Sequence, residues 1–154
     1  MKKFVATAVV GFFVVACLFS ASVAGAATTK DAKAMVDKAV AYYKANGKTK
    51  TIEEVKNPNG QFKKGDLFVY IFDLNGICLA NPVMPKLIGA PLKGSKDADG
   101  KLFGDEMVRI ANSTGSGWVD YKWSNPVSKK IEPKTSWVQK VDDIFFVCGA
   151  YKEK

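Results

Sequence analysis

Histidine is absent from this chain of 154 residues, and arginine occurs once, at position 109. Without imidazole the chain lacks the commonest general base, the Ser-His and Cys-His nucleophile pairs and the usual nitrogen ligands for metals. Cysteine is scarce: Cys17, Cys78 and Cys148 are the three, and none has a Cys-x-x-Cys partner to activate it as a redox or nucleophilic thiol. Clustered arginines with interleaved aromatics, the mark of a nucleic-acid face, are missing as well. Beyond residue 26 no apolar stretch approaches the roughly 20 residues that a membrane span needs. Binding is therefore expected rather than catalysis, with no cofactor or metal.

The N-terminus has the pattern of an export signal. Lys2 and Lys3 precede an apolar run from Phe4 to Phe19, and Ala24-Gly25-Ala26 fits a secretory cleavage site, so cleavage is expected after Ala26, with the domain spanning residues 27–154. Val14-Val15-Ala16-Cys17 resembles a bacterial lipobox and keeps a lipid anchor at Cys17 open as the alternative. Removing residues 1–26 takes two lysines and no acids, so a net charge of +8 becomes +6. That sign favours anionic small molecules, although the lysines are scattered as on a solvated face. The remainder has the size of one domain with a single core, and a periplasmic or secreted location is expected. In such a compartment Cys78 and Cys148 are free to pair, but both lie in apolar, strand-like segments where a buried thiol packs equally well.

Ala32, Met35, Val36, Ala39, Val40 and Tyr43 recur at helical spacing and predict an amphipathic helix over about 29–46, capped by Thr28 with Asp31 and stopped at Asn46-Gly47. A shorter helical turn is expected over 51–56. Asp66 to Asp73 is apolar on both parities, as a strand covered on both faces requires. Asn75-Gly76 predicts a two-residue type I′ turn into a strand over 77–80. Residues 83–100 form a long loop, a hint of function in itself. A second helix is expected over about 101–113, followed by strands at 117–123, 135–141 and 144–151. Helices packed on a five-stranded antiparallel sheet, an α+β domain, is the economical architecture.

FDLNGICLANP, KDADGKLFGDEMVRIANSTGSGWVDYKWSNP, KTSWVQKV and FFVCGAY occur in that order. Together they resemble the single Cache domain, an extracytoplasmic sensor module with a PAS-like sheet. The resemblance implies a long N-terminal helix and a pocket on one sheet face for small organic ligands, often carboxylates. Where many relatives read alanine, histidine, proline, Asn81 stands between Ala80 and Pro82, which removes a titratable ring but leaves hydrogen-bonding capacity. No kinase or methyl-accepting segment follows Lys154, so a stand-alone Cache protein is expected.

The stretch GWVDYKWSNP concentrates rings and polar groups in ten residues. Tyr121 and Trp123 share one strand face with Val119, where they either wall a pocket or fill the core; the resemblance tips them towards the pocket. Lys134 matches a lysine in the family's pattern and is suited to hold a ligand carboxylate. Asn81, Tyr70 and Trp137 complete the expected ligand-binding set. Arg109 is expected in a surface ion pair with Glu106. Asp97, Asp99 and Gly100 faintly resemble a calcium loop, but the bidentate Glu it needs is missing, and a turn into the second helix is the better reading. The expected role is that of an exported, non-catalytic sensor protein that binds a small organic acid and presents it to a membrane receptor or transporter. The alternative is a structural or interaction module whose pocket is filled by its own side chains.

Overall fold

A computed structural model of the chain describes residues 27–152. The expected leader, its cleavage site after Ala26 and the lipobox cysteine lie outside them. Helix α1 spans Thr29–Lys56 and opens with the expected capping box, Thr28 Oγ1 accepting from the Asp31 N–H while the Asp31 carboxylate accepts from Thr28. Asn46-Gly47 marks a kink rather than an end. Gly47 adopts φ 81° and ψ 172°, and helical residues resume beyond it through the expected turn at 51–56. Thr51, fully buried, ties the second segment to the kink by donating to the Gly47 carbonyl at 2.8 Å.

Among the described residues the sheet is antiparallel and has six strands: β1 (Lys63–Lys64), β2 (Leu67–Asp73), β3 (Cys78–Ala80), β4 (Ser116–Ser124), β5 (Ile131–Val141) and β6 (Ile144–Tyr151). Its order is β1-β2-β6-β5-β4, with β3 paired to β2 as well. The strand beyond the expected five is β1, a two-residue piece that Gly65, at φ 60°, turns back onto the start of β2. Between β2 and β3 the turn is not type I′, because Gly76 has positive φ and Asn75 does not. A three-residue loop closes instead: Gly76 N–H donates to the Asp73 carbonyl, and Asp73 Oδ1 accepts from the N–H groups of Asn75 and Ile77. The Asp73 side chain thus selects the longer turn. Gly76 is required there twice over, since a Cβ would stand 2.8 Å from Val108 on helix α2 (Phe103–Asn112).

Alternation along the strands divides the interior into two cores. Leu67, Val69 and Ile71 face α1 together with Ile144, Phe146 and Cys148. Phe68, Tyr70 and Phe72 face α2 together with Val119, Tyr121, Val138 and Val147. All of these lie within residues 27–152. Cys78 and Cys148 are free and buried, on strands that flank β2 and in opposite cores, which excludes a bond between them.

Candidate functional site

Four strands send polar groups onto the α2 face of the sheet. Tyr70 leaves β2 and Tyr121 leaves β4, and their hydroxyls meet at 3.2 Å although β6 and β5 run between them. Tyr121 also meets Ser136 Oγ at 2.9 Å. The bridging strands can be crossed because Gly149 on β6 has no side chain: a Cβ there would stand 2.1 Å from Ser136 Oγ and 2.6 Å from Lys134 Cε. The glycine of FFVCGAY is a clearance for this polar group.

Lys134 extends through the same clearance. Only 2% exposed, it donates to Tyr151 Oη at 3.3 Å, and its ammonium stands 4.9 Å from the centre of the Phe68 ring and 4.5 Å from that of Tyr151. Tyr151 Oη in turn donates to the Ser124 carbonyl at 2.8 Å. Among the described residues no carboxylate forms an ion pair with Lys134. Burial therefore dominates, and it pushes the ammonium down from 10.5 to about 8, opposed only by weaker negative fields. Burial also raises Tyr70, Tyr121 and Tyr151, so all three phenols stay protonated and can donate.

Aromatic rings cover this group. Phe103, at the start of α2, stacks on Tyr121 with centroids 4.4 Å apart and planes 8° from parallel, and Trp123 meets Phe103 edge-on at 5.3 Å. The loop before α2 is fastened to the outer edge of β4. Asp97 Oδ1 accepts from Asp99 and Lys101, and its Oδ2 accepts from the Lys122 N–H at 3.0 Å, the strongest of the contacts that hold its carboxyl below the usual range. Lys122 pairs with Asp99 at 2.7 Å, and Lys101 Nζ reaches both Glu106 and the Asp120 carbonyl. These oxygens are thus engaged by backbone N–H groups and lysines, as a turn into α2 requires, and they also protect an edge strand from further pairing. Between this loop and Lys152 a cleft of about 270 Å³ reaches Tyr121, Pro133 and Lys134.

Tyr70, Tyr121, Trp123 and Lys134 of the expected set come together. Trp137 does not join them. It belongs to the other parity of β5, on the α1 face, where it packs against Trp118 at 5.1 Å, lies under Lys33 and donates to Gln139. Asn81 is buried, but its Oδ1 is occupied by the N–H groups of Val83 and Met84, so it builds the turn after β3. Arg109 is exposed, and Glu106 pairs with Lys101 instead of with it. Sequence reasoning missed Ser136, Tyr151, Phe103 and Gly149. Strand parity would have found Ser136 two residues from Lys134, whereas Phe103 depends on how α2 docks and left no sequence signal.

An α+β fold with a long N-terminal helix, and a sheet face that gathers buried hydroxyls and an ammonium under aromatic rings, defines a PAS-like sensor domain. Residues 20–153 match the model of the family described as single Cache domain 2, and the chain belongs to that family. A solved periplasmic sensor domain of a chemotaxis protein is 26% identical, with a TM-score of 0.62 over 80% of this chain and 90% of that one. A Cache chemosensory domain solved for the structural basis of its carboxylic acid recognition is 26% identical, with a TM-score of 0.61 over 80% of this chain and 88% of that one. The methyl-accepting chemotaxis protein McpP of Pseudomonas putida is 34% identical over 74 residues, 48% of this chain and 14% of that protein, so the chain matches a small fraction of the curated relative. The protein is thus a Cache sensor domain with a ligand-sensing role in signal transduction. The first of these solved relatives is described as periplasmic, and no helix among the described residues is long and apolar enough to cross a membrane.

Proposed function

We propose that the domain is exported, with cleavage after Ala26, and binds a small organic acid on the α2 face of its sheet without transforming it. Lys134 neutralises the acid, Tyr121 and Tyr70 orient it through their hydroxyls, and Phe103, Phe68 and Trp123 exclude water. Occupancy is then passed to a membrane receptor or transporter. One observation carries this reading: a buried ammonium that lacks a carboxylate partner among the described residues. An unpaired buried charge is costly, and a ligand carboxylate removes that cost. The Cache relative solved with regard to carboxylic acid recognition supports the same ligand class.

The stacking of Phe103 on Tyr121 favours a second reading, a self-filled pocket with a structural role. Titration calorimetry of the chain from Ala27 onward against small mono- and dicarboxylates and amino acids separates the two. Lys134→Met keeps most of the apolar stem and should weaken the best carboxylate by about 1.5 to 3 kcal/mol, roughly 10- to 150-fold, without lowering the melting temperature. Equal affinity in the two proteins would remove Lys134 from the site, and no heat with any acid would favour the self-filled pocket.

A further inference from the structure

The most exposed large apolar side chains among the described residues are Val127, 70% exposed, and Ile131, 62% exposed. They lie four residues apart at the junction of β4 and β5, and exposed Lys129 and Lys130 stand between them. The tip is shaped from within. Asn125 Oδ1 accepts from the N–H groups of Val127 and Ser128, its amide donates to Glu132 at 2.7 Å, and Lys129 takes the left-handed conformation at φ 61°.

Single exposed apolar side chains are ordinary; the placement of these two is not. Val127 lines a cleft of about 1050 Å³ together with Lys64 and Asp66 of the β1–β2 turn and with Ala27, the first described residue. Both turns and the point where the chain enters the domain therefore share one end of the molecule. The two turns carry Lys63, Lys64, Lys129 and Lys130; the carboxylates of the same cleft are Asp31, which feels Lys64, Asp66 and Glu132, and Glu132 is held by Asn125 and Ser128. None of the four lysines takes part in an ion pair among the described residues.

We infer that this end of the domain docks on an anionic lipid surface, with Val127 and Ile131 entering the interfacial layer and the four lysines meeting the headgroups. Apolar tips flanked by lysine have this affinity because burial of the former and attraction of the latter act along the same normal. The lysine excess at this end favours an anionic lipid surface over a second copy, whose identical lysines would repel it. The docking end uses none of the side chains assigned to the ligand site.

Flotation of the chain from Ala27 onward with phosphatidylcholine vesicles, with and without phosphatidylglycerol, tests the inference. Binding is expected to the anionic vesicles only and should weaken with salt. Val127→Asp combined with Ile131→Asp should reduce partitioning by about tenfold or more, and Lys129→Ala combined with Lys130→Ala by about fivefold per lysine. Circular dichroism should show both variants folded, because the altered side chains are exposed. Wild-type protein that floats no better than the double aspartate variant would overturn the inference. Binding to native membranes that protease treatment abolishes, without binding to lipid vesicles, would overturn it in favour of a protein partner. Dimerisation that the aspartate variant abolishes, without lipid binding, would overturn it in favour of a second copy.

Discussion

Raising the pH should stabilise the ligand-free domain through Lys134, and the size of the effect follows from its burial. In the unfolded chain this amine holds its proton up to 10.5, and in the folded domain only up to about 8. Between those values the unfolded state binds more protons, so the free energy of unfolding rises with pH across that window. The penalty is complete below about 8 and absent above 10.5, and in full it is about 3 kcal/mol. Between about pH 7.5 and 9.5 roughly 2 kcal/mol of it should be relieved. Cys78 and Cys148, raised from 9.0 to about 11 and about 12, act in the opposite direction above pH 9, because the unfolded thiols ionise first. The contribution of Lys134 is isolated by the difference between wild type and Lys134→Met in urea denaturation at a series of pH values. The variant should be the more stable protein near neutrality, since a methionine stem needs no counter-charge. Its advantage should shrink by about 2 kcal/mol towards pH 9.5. An advantage independent of pH, or one that grows, would refute the view of Lys134 as a buried base without a counter-charge. The same linkage requires a bound carboxylate to restore the proton, so calorimetry near pH 8.5 in buffers of different ionisation enthalpy should register proton uptake.

Two further outcomes test the architecture. Gly149→Ala places a methyl group 2.1 Å from Ser136 Oγ and 2.6 Å from Lys134 Cε, so denaturation should show a loss of about 1 to 3 kcal/mol from overpacking, with carboxylate affinity falling alongside it; an unchanged protein would mean that the clearance over β6 is not needed. In the chain from Ala27 onward, Cys78 and Cys148 should resist a thiol reagent at neutral pH and both label after denaturation without reductant, as mass spectrometry would show, because burial raises both thiols and β2 separates them.

Much of the fold could be read from local pattern, because the decisive signals lay within a few residues. The two-sided apolar run of β2 specified a buried strand, and Thr28 with Asp31 specified the start of α1. Asn46-Gly47 was recognisable as a break, but the helical residues beyond it, anchored by buried Thr51, converted an end into a kink. The type I′ expectation failed because it considered Asn75-Gly76 alone, whereas the Asp73 carboxylate two residues earlier accepts the N–H groups that fix the longer loop. At the site, parity along β4 correctly joined Tyr121 to Trp123, and proximity in sequence misled at Trp137, whose parity sends it to the other core. Motif position selected Lys134 without revealing that it is buried and unpaired, because that state depends on Gly149 and Tyr151 from a neighbouring strand.

On the ligand-binding reading, the closed arrangement of rings also determines which ligands succeed. An acid entering by the cleft near Pro133 must part Phe103 from Tyr121, a stack worth about 0.5 to 1.5 kcal/mol beyond its buried area. It must also give up its own hydration, which hydroxyls from Tyr70, Tyr121 and Ser136 partly replace. Against these costs stands the relief of about 3 kcal/mol held in the unpaired ammonium. A neutral molecule of the same size meets the first cost and obtains none of the relief. On this reading the domain would discriminate by charge through the cost of its empty state, and Lys134→Met should lower affinity for acids while leaving a neutral isostere as weak as before.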